Sequence, residues 1–518
     1  MNPPRDVEPT SRGAAGKETE GEKASATVPK PSVGRLFKNA SIYGVAQTLV
    51  SLITFVTDPL LSYMLTRADF GLLGLTRTTA NLLTSGYRLG LDGAANRLYY
   101  DVEADAEAAK RRVLGTLNTF LLGWVVVLSL SQEIFGPAVY ARVFNNLPYA
   151  PYGRFVAYGL ACSTLVAVAQ MVWGAQERAK LLSGTRILSA LLTSAFMFAL
   201  LLGTNWGVRA VFWAQAIGPT LLLWVHIRFA WGSFGFAWDT RVVRRALAFG
   251  LPLVVHSTSH WALDAADRLM LESYMGRDAV GLYTVAYGTT STILLVNAAV
   301  NSAYTPQFMR TQGKPEFQAF IARSITYFML TNLAATLGFV IFGPLVIRTL
   351  YSARFAEAAP LSPILALSAP FHAVYLIYVN GMFHANRTRL IPVLTFTAGV
   401  VNVGLNMVLI PRIGLLGAAI ATLAGYGALA LLFRLGATTV QPIPLERGRL
   451  LRLLFVFCPI ALVGVLVEGK LGTGATIGVC LVLTALAPIL LYASGFVTPE
   501  EQTLVRNSVL SVIKKVRG

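Results

Sequence analysis

Ser62-Tyr63-Met64-Leu65-Thr66-Arg67-Ala68-Asp69-Phe70-Gly71-Leu72 is a short polar turn between two apolar stretches. It returns 210 or 211 residues later as Ser273-Tyr274-Met275-Gly276-Arg277-Asp278-Ala279-Val280-Gly281-Leu282. A second pair keeps nearly the same offset, since Gly207-Val208-Arg209-Ala210 is echoed by Gly414-Leu415-Leu416-Gly417-Ala418 at 207 residues. Two signals at nearly one offset imply two copies of one unit.

What the unit is made of follows from the apolar stretches around these turns. Of 518 residues, 55% are hydrophobic and only 13% charged, about half the charge of a soluble chain. Mean hydropathy is +0.59. This composition excludes a water-soluble enzyme and a disordered or fibrous chain. Fourteen apolar stretches are each long enough to cross a hydrocarbon core of about 30 Å: 36–65, 69–95, 113–134, 149–176, 184–203, 208–231, 246–275, 279–308, 323–347, 360–385, 389–409, 413–435, 450–468 and 473–495. The reading is therefore an all-α polytopic membrane protein. It has a disordered cytosolic tail (1–34), a six-helix bundle (35–232), a second six-helix bundle (246–436), two extra spans (450–495) and a cytosolic amphipathic helix (498–518). Six is even, so the halves share one orientation, with an axis along the membrane normal and the binding site expected between them.

The basic residues orient the chain. In a soluble protein a net charge of +18 would suggest nucleic acid; in a membrane protein it is what cytoplasmic loops carry. With the amino terminus inside, 24 Lys and Arg fall on inner segments and 8 on outer loops. Arg97, Lys110 to Arg112 and Arg241 to Arg245 make the inner mouth basic; Arg67, Arg277 and Lys470 lie outside. The cytoplasmic membrane is the implied location, with both termini cytosolic and no nucleic-acid partner.

Four spans carry polar residues on one helical face. The first shows Gln47, Ser51, Thr54, Asp58 and Ser62; the second Arg77, Asn81, Ser85, Arg88 and Asp92. The seventh shows His256, His260, Asp264, Asp267 and Arg268; the eighth Tyr283, Tyr287, Thr290, Asn297 and Asn301. These spans hold equivalent places in the two repeats, so they are expected to line one cavity. A charge at membrane depth costs at least about 2.5 kcal/mol and normally has a partner. Asp58 and Arg77 each lie about 12 Å below the Thr66–Asp69 turn and are expected to pair. Arg88 with Asp92 and Asp264 with Arg268 are further candidate pairs, and a set of structural pins is the competing reading. Pro59 should bend the first span at Phe55, which makes Asp58, Pro59 and Arg77 a candidate outer gate. His256 and His260 have the spacing of a metal pair, but a neutral hydrogen-bonded or proton-linked pair is preferred, and no metal or cofactor is expected.

No G-x-x-x-x-G-K-[ST] loop exists, so the chain does not hydrolyse ATP, and no outer loop exceeds about twenty residues, so a transporter is expected, not an enzyme. Cys162, Cys458 and Cys480 sit in apolar runs and read as small buried thiols. Thr498-Pro499-Glu500-Glu501 announces the start of a helix on the inner leaflet.

Phe249-Gly250-Leu251-Pro252, Asp267-Arg268-Leu269-Met270-Leu271, Tyr274-Met275-Gly276 and Val280-Gly281-Leu282-Tyr283 resemble the seventh and eighth helices of bacterial polysaccharide-biosynthesis transporters, the Wzx-type oligosaccharide flippases. Ile410-Pro411-Arg412-Ile413-Gly414-Leu415-Leu416-Gly417-Ala418-Ala419 is similar to their I-P-x-x-G-x-x-G-A-A segment. Their Glu-x-Phe-Gly appears here as Ala68-Asp69-Phe70-Gly71. The resemblance covers about residues 35 to 495 and implies the multidrug, oligosaccharidyl-lipid and polysaccharide exporter superfamily, whose members rock two bundles about a central cavity. It implies a polyprenyl-diphosphate-linked glycan as cargo, with membrane lipids, other polysaccharide assembly proteins and a coupling ion as partners. A diphosphate favours bidentate arginine, which Arg77, Arg88 and Arg268 would supply. The stripes also hold four acids, Asp58, Asp92, Asp264 and Asp267, and an ion-coupled multidrug or cation exporter is the alternative.

Overall fold

The computed structural model describes residues 33–102, 106–143, 148–176, 178–228, 235–311, 317–384, 389–438, 444–467, 470–499 and 501–503. Among these residues there is no strand. The first half contains α1 (Val33–Met64), α2 (Arg67–Arg88), α3 (Leu91–Tyr100), α4 (Glu107–Val143), α5 (Arg154–Ala175), α6 (Ala179–Gly203) and α7 (Val208–His226). The second contains α8 (Thr240–Met275), α9 (Arg277–Ser291), α10 (Ile293–Thr311), α11 (Phe317–Leu350), α12 (Leu361–Ala366), α13 (Ser368–His384) and α14 (Leu390–Thr438). After these come α15 (Arg447–Val467) and α16 (Thr473–Ala493).

Ten helical segments among the described residues are long and apolar enough to cross a membrane. The chain is a multi-pass membrane protein. Fourteen separate spans are not established, since α2 and α8 carry the charged stripes and α5 includes side chains outside the described residues; α14, by contrast, is two helices folded back at Gly414, matching 389–409 and 413–435, with Asn402 donating to the Ala421 carbonyl at 3.1 Å. Exposure is inverted relative to a soluble fold. Val45, Leu49, Leu52, Val56 and Leu60 form an exposed apolar face along α1, which a bilayer covers with lipid tails. Cys162 and Cys480 are buried, but Cys458 is exposed, because it lies on an outward face of α15.

The two turns that set the repeat keep their likeness in backbone geometry. Gly207, which opens α7, has φ 55° and ψ −134°, and Gly414, at the turn inside α14, has φ 59° and ψ −134°. A residue with a Cβ is strained there, so the echo in sequence is also one in conformation. At the start of α2, Thr66 and Asp69 close a capping box, each side chain bonding the other's backbone N–H.

The halves meet along a seam in which α2 packs on α9 and α3 and α4 pack on α8. The seam is reciprocal. Gly71 lies against the carbonyl of Arg277, and its repeat equivalent Gly281 lies against the carbonyl of Arg67. Gly74 faces Thr284, its own equivalent 210 residues on, so the pseudo-twofold axis passes between them. Without side chains at these glycines the two backbones approach more closely than any other residue permits. Towards the far end of the seam Gly90 and Gly250 meet in the same manner.

The second apolar span is not one helix. It breaks after Arg88, where Leu89 and Gly90 take φ 51° and 66°, and restarts as α3. At the chain's end, Thr498 and Glu501 form the expected capping box, with Thr498 N–H to Glu501 Oε2 at 2.9 Å and Glu501 N–H to Thr498 Oγ1 at 3.4 Å. The tail before residue 33 and most of the amphipathic segment, 504–518, lie outside the described residues.

Candidate functional site

In the first half the polar stripe of α1 faces a cavity. Gln47, Thr54, Thr57 and Asp58 from α1 and Arg77 from α2 line it together with Gln170 of α5, Arg186, Ser189, Thr193 and Ser194 of α6 and Gln215 of α7. Its volume is about 410 Å³. α1 packs on α6, and the serines and threonines of α6 leave room where larger side chains would close the space.

Asp58 and Arg77 are paired, with Nη2 to Oδ1 at 3.2 Å and Nη1 to Oδ2 at 3.4 Å. The Asp58 carboxylate also reaches the seam, 3.9 Å from where a Cβ of Gly288 on α9 would stand. Both partners belong to the first half, so the pair by itself does not join the two halves. That joining is done beside it by the loop after α11. Arg67 holds Glu357 through both terminal nitrogens at 2.8 and 3.3 Å, and its Nε donates to the Arg354 carbonyl. Arg354 donates to the Leu65 carbonyl at 3.0 Å, the Ser352 N–H donates to Ser62 Oγ at 2.8 Å, and Phe355 meets Phe70 edge-on at 4.9 Å. The Arg67 guanidinium hydrogen-bonded to Glu357 holds that carboxyl below its ordinary range.

Lower on the seam, Arg88 and Asp92 pair at 3.4 Å across the break between α2 and α3, and Asn81 is exposed. At the end opposite the hairpin the halves are tied by Arg245 to Asp101 at 3.1 Å and by Arg112 to Asp239 at 3.5 Å.

The second half treats its polar stripes differently. His256 meets Thr395 at 3.1 Å. His260 Nδ1 lies 3.0 Å from Asp264, whose other oxygen accepts from the Tyr426 hydroxyl. Asp267 is fully buried and accepts from Thr422 at 3.2 Å, from the Arg268 backbone at 2.8 Å and from the Arg268 guanidinium at 3.3 Å. Arg268 stands over the Tyr287 ring at 4.3 Å. Asn297 donates to the Ala369 carbonyl at 3.1 Å and accepts from Asn332, while Asn301 accepts from Asn380 at 2.7 Å. The seven candidates on α8 and α10 are thus drawn into a hydrogen-bonded network with α11, α13 and α14. Among the described residues no cluster of three His, Cys, Asp or Glu is placed to hold a metal ion.

Arg77 and Tyr287 are repeat equivalents, 210 residues apart, while the 211-residue offset of the helix before the turn sets Leu269, next to Arg268, opposite Asp58. One half fills this place with an ion pair, the other with a guanidinium on a phenol ring. Sequence reasoning passed over Arg186, Gln170 and Gln215 in the first half, and His372, Thr422 and Tyr426 in the second. Arg186, Ser189 and Thr193 do repeat at steps of 3 and 4, a stripe of the same kind as the four recognised.

A profile described as "Polysaccharide biosynthesis protein" matches residues 36–312. The chain is 26% identical over 217 residues to the probable low-salt glycan biosynthesis flippase Agl15 of Haloferax volcanii, covering 40% of this chain and 46% of that relative. It thus spans about half the length of that protein. The Lsg locus putative protein 1 of Haemophilus influenzae is 21% identical over 69% of this chain and 87% of its own. Among solved structures, the lipid II flippase MurJ in an inward closed conformation superposes with a TM-score of 0.69 at 11% identity, over 87% of this chain and 98% of that one. An inward-facing multidrug resistance MATE family transporter gives 0.56 at 15% identity, over 79% and 98%. These likenesses show the fold.

Proposed function

The chain belongs to the polysaccharide biosynthesis protein family, and on that premise we propose that it is a flippase moving a polyprenyl-diphosphate-linked oligosaccharide across the cytoplasmic membrane. Movement is from the inner to the outer leaflet by alternating access of two six-helix bundles, with both termini cytosolic and the 62–72 hairpin on the outer side. The observation that carries this reading is the cavity of about 410 Å³ in the first half, lined by amide, hydroxyl and guanidinium groups within a mostly apolar bundle. Opening a polar space at membrane depth is costly, and such groups mark a solute path. The amides and hydroxyls both donate and accept hydrogen bonds, as sugar hydroxyls do. The likeness to a named glycan flippase points the same way.

The two seams of contact across the halves give the device that alternates. The hairpin end is held by Arg67, Arg354 and Glu357, the opposite end by Arg245 with Asp101 and Arg112 with Asp239. Releasing one set while keeping the other exposes the interior to one side at a time. The test is reconstitution of the full chain in liposomes with a fluorescent polyprenyl-diphosphate glycan in the membrane, followed by addition of an impermeant quencher. Protein-dependent loss of protection for the glycan is expected. If the glycan stays protected while a cationic dye is expelled from the same vesicles, the chain is a multidrug or cation exporter.

A further inference from the structure

Three arginines of the polar stripes suit a diphosphate by residue type, yet each is already held by a carboxylate on its own half. Arg77 pairs with Asp58 at 3.2 Å, Arg88 with Asp92 at 3.4 Å and Arg268 with Asp267 at 3.3 Å. An incoming phosphate has to displace a tethered anion at each of them. Arg186 is different. It lines the same cavity as Arg77, and among the described residues its side chain has one hydrogen bond, from Nε to Gln170 Oε1 at 3.4 Å, and no carboxylate partner. Both terminal nitrogens are left to a ligand, in the fork geometry that matches two phosphate oxygens.

Position along the helix adds a second argument. Arg186 is seven residues into α6, about 10 Å from its first residue, while Gln170 is five residues before the end of α5. Both therefore stand towards the end opposite the hairpin, where Arg178 and Lys180 add to the positive charge. Asp58 and Arg77 stand at the other end of the cavity. Gln47, Gln215 and Thr193 line the same cavity and offer uncharged donors and acceptors, and the volume falls within the usual ~300–1,000 Å³ of small-ligand sites.

We infer that Arg186, positioned by Gln170, is the receiving site for the diphosphate group of the cargo, with the first sugars running towards Asp58 and Arg77 along Gln47, Thr193 and Gln215. This rests on the reading of the cargo as a polyprenyl-diphosphate-linked glycan. The paired arginines then serve later in the cycle, when the diphosphate competes with Asp58 for Arg77. The phosphodiester of an anionic phospholipid shares the charge chemistry and is the other source of ligand to be separated.

The experiment is equilibrium binding to the full chain in phosphatidylcholine nanodiscs, titrated with inorganic pyrophosphate, farnesyl diphosphate and phosphatidylglycerol. The wild type should bind both diphosphates. Arg186→Gln should weaken them by about 10- to 100-fold, and Arg186→Lys should recover part of the loss. Gln170→Glu keeps Arg186 but supplies the carboxylate that the other three arginines have, and should weaken binding to a similar degree. Melting temperatures separate loss of binding from loss of folding, and Gln170→Glu carries the test if Arg186→Gln does not fold. Unchanged diphosphate affinity in folded Arg186→Gln or Gln170→Glu overturns the assignment, and so does phosphatidylglycerol binding as tightly as farnesyl diphosphate. If the diphosphate site behaves as stated but liposomes show no glycan flipping, the site stands and the proposed transport fails.

Discussion

Gly71 and Gly281 set how closely the halves approach at the hairpin end, and a single methyl group on either should force them apart. A Cβ on Gly71 would lie 2.9 Å from the carbonyl carbon of Arg277 and nearer still to its oxygen; one on Gly281 meets Arg67 at the same 2.9 Å. Ordinary carbon contacts are about 3.5–4.0 Å, so the backbones must separate by roughly 1 Å. The neighbour is main chain within a helix and has no rotamer to give. Overpacking of this kind costs about 1–3 kcal/mol, charged only against the arrangement in which the seam is shut. The equilibrium should therefore move towards an open hairpin end by about 5- to 150-fold. Both substitutions part the same pair of helices, so Gly71→Ala with Gly281→Ala should fall well short of the sum of the two. The assay is labelling of Asn81→Cys by an impermeant maleimide added outside, in a chain whose Cys162, Cys458 and Cys480 are replaced. Asn81 is exposed and ten residues, about 15 Å, below Gly71. Faster labelling in each single variant is expected. If either folded variant labels at the parental rate, the glycines do not hold the seam.

Asp58→Asn and Arg77→Gln should each lower glycan export by more than they lower protein abundance, and exchanging the two charges should restore part of it; export that merely tracks abundance in all three makes the pair a structural pin. Because Arg67 depresses the pKa of Glu357, that contact is whole above the usual carboxylate range and is lost as pH falls through the depressed value. Spin-label distances across the hairpin end should thus stay constant through neutral pH and lengthen only at pH below the ordinary glutamate range, whereas Glu357→Gln should show no such transition. Reporter fusions at Lys314 and Arg449 should read cytosolic and at Lys470 external; an external signal at Lys314 contradicts the parallel arrangement of the halves.

The helices and their repeat were legible because each is a local pattern: an apolar run, a Gly-containing turn, a charge bias from loop to loop. The Asp58–Arg77 pair was legible for the same reason, since two residues placed symmetrically about a hairpin come to one depth whatever else packs around them. The partners of Asp264 and Asp267 were not, because Thr422 and Tyr426 lie more than 150 residues away and reach them only through the packing of α8 on α14. Arg186 opens a stripe with Ser189 and Thr193 that the spacing carries, but only the fold brings it into one cavity with Gln47 and Gln215. The break at Leu89 was hidden by composition. Arg88 to Asp92 keeps helical spacing, and only Gly90, which takes positive φ without strain, hints that the chain turns between them.

The reciprocal contact of Gly71 and Gly281 has a consequence for descent. Contacts between a residue and the equivalent of its neighbour, arranged about a twofold axis, are what two identical protomers make in an isologous dimer. The two halves accordingly read as a dimer written into one chain, joined by residues 227–239. Once joined, the copies were free to diverge wherever the axis did not bind them. The seam kept Gly71 and Gly281, while Arg77 of one copy, held by Asp58, and its equivalent Tyr287 of the other, lying under Arg268, mark a place where the symmetry is broken.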